Sequence, residues 1–66
     1  MIGPGDSVEL LRALPVLQGF GGVLAAGTRG DVVSAPQLVE TMVAVRFPGF
    51  GLPIFVDRKR LAKARP

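Results

Sequence analysis

The stretch that decides the fold is Gly27-Thr28-Arg29-Gly30-Asp31-Val32-Val33. Two glycines three apart flank a polar pair, and two β-branched residues follow. Glycine serves where the backbone must go to positive φ, and valine suits a pleated, half-buried surface. The chain is therefore expected to turn at Gly27 and enter a strand over residues 28–34, with which the other strands pair.

Working outward, residues 8–12 (VELLR) read as the strand before it. Val8 and Leu10 are expected to face the core, with Arg12 on their side of the strand and Glu9 and Leu11 on the other. Leu14-Pro15 is expected to end this strand, because proline cannot donate to a ladder. Residues 16–26 read as a long loop. Its glycines 19, 21 and 22 each weaken a helix by roughly 1 kcal/mol relative to alanine. Leu17, Phe20, Val23 and Leu24 are its candidate apolar anchors under the sheet.

On the other side, Ser34-Ala35-Pro36-Gln37 has the pattern of a helix capping box, but reads better as a hairpin loop that ends before Thr41. Residues 41–47 (TMVAVRF) show the clearest alternation in the chain. Val43, Val45 and Phe47 are assigned to the core, and Met42, Ala44 and Arg46 to a mixed outer face. Pro48-Gly49-Phe50-Gly51-Leu52-Pro53 is a tight turn into a strand at Ile54-Phe55-Val56-Asp57. Asp57 is placed to cap a final helical turn, with Leu61 as its apolar anchor. Four or five short strands joined by glycine-bearing turns predict an all-β fold, a small and strongly bent barrel that hides its edges.

Residues 1–66 form one domain, and a small one. A chain of this length buries only ~60% of its unfolded surface, so its stability is marginal. It has no cysteine for a disulfide or a thiolate metal site, and no histidine, the commonest general base. Yet 48% of its residues are hydrophobic. That excess predicts apolar surface covered by another copy or by a partner chain.

Charge is concentrated at one end. Residues 1–56 sum to −1, and residues 57–66 to +4, so the formal +3 belongs to the C-terminal tail. The plain reading of Arg58, Lys59, Arg60, Lys63 and Arg65 is a solvated tail that keeps an apolar domain soluble. The functional reading makes them candidate contacts for nucleic acid or another anion, and failing that for an acidic protein surface. Tyrosine and tryptophan are absent, and the phenylalanines are needed for packing, so base stacking along a single strand is not expected.

Catalysis has little to stand on. Asp6, Glu9, Asp31, Glu40 and Asp57 have no metal-ligand spacing, and Ser7 and Ser34 have no identifiable base. No catalytic, cofactor or metal site is assigned, and enzyme activity in the isolated chain is not expected. Gly19-Phe20-Gly21-Gly22 lacks the following helix and lysine of a phosphate cradle. Arg29-Gly30-Asp31 is a tripeptide that cell-surface receptors read at an exposed loop tip, but here it falls at a strand entry. No window reads as a membrane span or a secretion signal, which leaves a cytoplasmic bacterial protein as the plain expectation.

Several positions together carry a resemblance: Gly5-Asp6-x-Val8, Leu10-Leu11-x-x-Leu14-Pro15, Gly27-Thr28-x-Gly30-x-Val32-Val33, Val45-x-Phe47, and the terminal Val56 and Leu61. The chain resembles small SH3-like barrels. It looks most like the bacterial stand-alone barrels related to the C-terminal domain of the nitrile hydratase β subunit. The implied fold is a small SH3-like barrel of four or five strands, with a long early loop and a short C-terminal helical turn. The expected function is that of a non-enzymatic protein-interaction module, a homo-oligomer or a small subunit of a larger assembly. Phe20, Phe50 and Leu52 are the candidate interaction surface, because they sit on loops. A second resemblance, at Gly5-Asp6-x-Val8 and Ile54-Phe55, is to the plasmid-borne dihydrofolate reductase barrel, an oligomeric enzyme with a shared pore. The glutamine which that family carries before Ile54 is Pro53 here.

Overall fold

The computed structural model describes residues 2–16, 22–34 and 41–64. The chain is all-β. Strands β1 (Ser7–Leu10), β4 (Arg29–Val32), β5 (Met42–Arg46), β6 (Ile54–Asp57) and β7 (Leu61–Lys63) form one sheet in the order β6-β5-β4-β1-β7. Every pairing in it is antiparallel. A second ladder joins β2 (Leu14–Pro15) to β3 (Val23–Leu24). One 3-10 turn, η1 (Arg58–Arg60), separates β6 from β7. The first strand is flanked by the last, β4 to β6 form a meander, and the helical turn precedes the closing strand. This is a small all-β, barrel-like fold with a C-terminal 3-10 turn.

Period-2 alternation builds the core. Val8 and Leu10 of β1, Val32 of β4, Val43 and Val45 of β5, Val56 of β6, Phe47 and Leu61 form one buried cluster. Leu14 and Leu24, Cα partners across the β2–β3 ladder, pack against it, as do Ile2, Phe50 and Ile54. The small ladder thus covers the cluster from the early loop, and fixes that loop's two ends to the barrel.

The two glycines of the opening stretch do different work. Gly27 has φ of +87°, as a turn into the strand requires. Its amide donates to the Leu10 carbonyl at 2.7 Å, and the Leu10 amide donates to the Thr28 carbonyl at 2.9 Å, which extends the β1–β4 pairing into the turn. Gly30 keeps ordinary strand backbone. It is buried because β5 lies directly over it: a Cβ there would sit 2.7 Å from Val45 Cγ1, 2.8 Å from the Arg46 carbonyl oxygen and 2.9 Å from Phe47 Cδ1.

Several expectations need correction. The first strand stops at Leu10 rather than Arg12. The Leu11 amide turns to the Arg60 carbonyl at 2.8 Å, and Arg12 is exposed instead of sharing the core face. Leu14-Pro15 does not simply end a strand; it forms β2, where a two-residue ladder leaves the missing proline donor without consequence. Residues 16–26 are not all loop, because Val23–Leu24 is the return strand, secured by the Val16 amide donating to the Gly22 carbonyl at 2.8 Å. Leu24 packs inward as expected, but Val23 is 66% exposed. Leu17 and Phe20, and the capping-box or hairpin reading of residues 34–37 beyond Ser34, lie outside the described residues. Ala44 is buried despite its outer-face parity. Its short methyl lies between Val33, whose amide donates to the Ala44 carbonyl at 2.9 Å, and the larger Phe55 on β6.

The C-terminal end is the largest departure. Asp57 caps η1 as expected, its Oδ1 accepting from the Lys59 amide at 2.9 Å, and Leu61 is the buried anchor. The chain then continues as β7, with Leu61 opposite Leu10 and Lys63 opposite Val8. Residues 58–63 are therefore part of the barrel rather than a solvated tail. Because η1 sets the approach of β7 to β1, Asp57→Ala is expected to cost about 1 kcal/mol. Thermal unfolding should show this as a fall in Tm of about 4–8 °C. A variant that melts with the parent would show the cap to be idle.

Candidate functional site

The first candidate surface is the β6 edge. β6 is an end strand of the sheet, and among the described residues no strand pairs with its outer side. The ladder parity is readable: the Arg58 amide donates to the Thr41 carbonyl at 2.9 Å, and Val33 bonds Ala44 on the far side of β5. Residues 54, 56 and 58 therefore bond inward, while the amides and carbonyls of Phe55 and Asp57 face away from β5. Two large apolar side chains are exposed at this edge. Phe55 is 43% exposed, and Leu52, in the turn leading into β6, is 73% exposed. A pocket of ≈ 220 Å³ beside Phe55 is lined by Ile2, Val33, Met42, Ala44 and Arg58 among others. The proposed surface residues thus separate: Leu52 is free, Phe50 is half-buried and packs against the core, and Phe20 lies outside the described residues. Phe55, missed by the sequence reading, joins Leu52. Its signal was its odd position in a strand whose even positions, Ile54 and Val56, supply the core.

The outer face is polar where Ser7, Asp31 and Arg46 lie side by side. The Ser7 hydroxyl donates to Asp31 Oδ1 at 3.1 Å, and Asp31 and Arg46 are Cα partners. Arg29-Gly30-Asp31 lies in a strand paired on both sides, with Gly30 under β5, and so does not tip a loop.

The cationic residues are not one cluster. Arg58 Nη1 donates to the Ile2 carbonyl at 2.9 Å, which ties η1 to the N-terminal lead-in. Lys63 Nζ lies 3.7 Å from Asp6 Oδ2, a carboxylate oxygen that also accepts from the Gly3 amide at 2.8 Å. Arg65 lies outside the described residues. Lys59 and Arg60 are exposed, and the Leu11–Arg60 backbone bond brings Arg12 to them. Together with Leu11 and Ala13, these three cations line a concavity of ≈ 410 Å³. Arg12 could not be placed here from sequence, because a pairing across some fifty residues joins the two segments.

Among the described residues no three acidic side chains converge as metal ligands, and no helix is long and apolar enough to cross a membrane. The fold and its surfaces define a small all-β, barrel-like domain with an apolar strand edge and a separate basic concavity. Comparisons with protein-family models, curated proteins and solved structures find no match to this chain.

Proposed function

We propose that the chain is a non-enzymatic interaction module that joins a second copy of itself or a larger subunit through the β6 edge. One observation carries this reading. The core is complete without Leu52 and Phe55, yet Phe55 lies on β6 and Leu52 in the turn leading into it, and among the described residues no strand pairs with the outer side of β6. An edge of this kind is a template for strand addition, with the flanking apolar side chains supplying burial. The resemblance to barrels related to a nitrile hydratase β-subunit domain, itself part of an assembly, points the same way. The apolar excess of a 66-residue chain without disulfides does so too.

The test is sedimentation of the pure protein at micromolar concentration. The parent is expected to sediment above its 6.9 kDa monomer mass. Leu52→Ser combined with Phe55→Ser should sediment as a monomer with unchanged far-UV circular dichroism, since neither side chain belongs to the buried cluster. A parent that is a folded monomer overturns self-association. If native-host purification then also yields it without a companion subunit, the module reading fails.

A further inference from the structure

We propose that the concavity formed by Arg12, Lys59 and Arg60 binds the phosphate backbone of duplex nucleic acid, without regard to sequence. The proposal is independent of the β6 edge, since it uses different side chains. Three observations carry it. First, the concavity draws cations from two distant segments, the bend after β1 and the turn η1, held together by the Leu11 amide on the Arg60 carbonyl. Second, the three side chains are uncommitted. All are exposed, and among the described residues none has an ion pair or a side-chain hydrogen bond. Third, the lining contains no carboxylate to oppose a phosphate; its other members are Leu11 and Ala13.

Shape selects the occupant. A concave surface accepts a convex ridge, such as the phosphate ridge of a duplex, whereas a bilayer is planar on this scale and meets only the rim. Leu11, 54% exposed, offers no aromatic face for a base. Bases are therefore not read, and binding is by counterion release alone. Of the five cations at the C-terminal end, Arg58 is bonded to Ile2 and Lys63 is paired with Asp6, and neither lines the concavity, so neither is counted.

The count fixes the expected result. Three phosphates neutralised on duplex DNA give a slope of log affinity against log salt near −2.7. Affinity should fall about 40-fold between roughly 50 and 200 mM salt. The experiment is fluorescence anisotropy of a labelled duplex of mixed sequence titrated with the full chain, alongside Arg12→Ser, Lys59→Ser and Lys63→Ser. Circular dichroism melting confirms that each variant folds. Arg12→Ser and Lys59→Ser should each bring the slope to about −1.8, with a loss of about 12-fold over the same salt range. Lys63→Ser should match the parent. A second duplex of unrelated sequence should bind equally. The proposal is overturned if Arg12→Ser is silent while Lys63→Ser weakens binding, which is the behaviour of an undifferentiated basic tail. It is also overturned if no binding is seen at about 20 mM salt, where counterion release is strongest, or if vesicles containing phosphatidylserine bind the chain more tightly than the duplex does.

Discussion

Gly30→Ala is expected to cost the domain about 3 kcal/mol, at the upper end of what overpacking a well-packed core does. For a chain of this size that is a fall in Tm of at least about 12 °C. The added methyl would meet three atoms at under 3 Å, and each is hard to move. Val45 and Phe47 are among the most deeply buried side chains, so their methyl and ring atoms have no space to swing into. The third atom is the Arg46 carbonyl oxygen, part of the backbone of β5, and Arg46 faces Asp31 in the β4–β5 ladder. Relief therefore requires parting the two strands at the centre of the sheet. Gly27→Ala is the informative contrast. Gly27 has φ of +87° but open space where a Cβ would go, so its cost is that of the left-handed backbone, about 1 kcal/mol. Urea unfolding of both variants separates the two roles. Equal losses would show that conformational freedom, and not the close approach of β5, makes glycine necessary at position 30.

Those two glycines also show how far the sequence could be read. Gly27 followed from turn chemistry, which is local. Gly30 was placed beside it on the same argument, but its reason lies on a strand some fifteen residues away that no local pattern reveals. The same division runs through the fold. Val43, Val45 and Phe47 alternate in sequence and lie inward, and the strand Ile54–Asp57 is the β-branched and aromatic run 54–56 plus its capping aspartate. By contrast, Leu61-Ala62-Lys63 sits among cations and reads as the end of a helical turn with Leu61 as its anchor, not as a strand. It becomes a strand because Val8–Leu10 offers an open edge to it, a pairing that spans almost the whole chain. The candidate sites divide likewise. The exposure of Leu52 was legible, since a large apolar residue between glycine and proline in a turn has little core to reach. Phe50, in the same turn, was not, because its ring packs on the core. Arg12 reaches Lys59 and Arg60 only once β1 and η1 have met.

Val45→Asp is expected to leave the chain unfolded at neutral pH. Val45 is 0% exposed, lies opposite Val32 on one side and Ile54 on the other, and approaches Gly30 from above. A carboxylate there would have no water, and the described residues around it supply no cation and no free donor. Burying an unpaired charge costs several kcal/mol even after relaxation. The whole domain, at 66 residues, is expected to hold only about 3–10 kcal/mol. The penalty therefore reaches the size of the total, and far-UV circular dichroism should lose its sheet signal without denaturant. Val45→Thr grades the effect. It keeps the branched shape and adds one hydroxyl, so it should fold but lose about 1–3 kcal/mol for an unsatisfied polar group. Arg46→Asn, one residue along on the exposed face, should stay within about 0.5 kcal/mol of the parent. The order matters because a shift of one residue in a strand sends every side chain to the other face. Should Val45→Asp melt with the parent while Arg46→Asn collapses, β5 would be out of register by one, and the cluster built on Val43, Val45 and Phe47 would have to be redrawn.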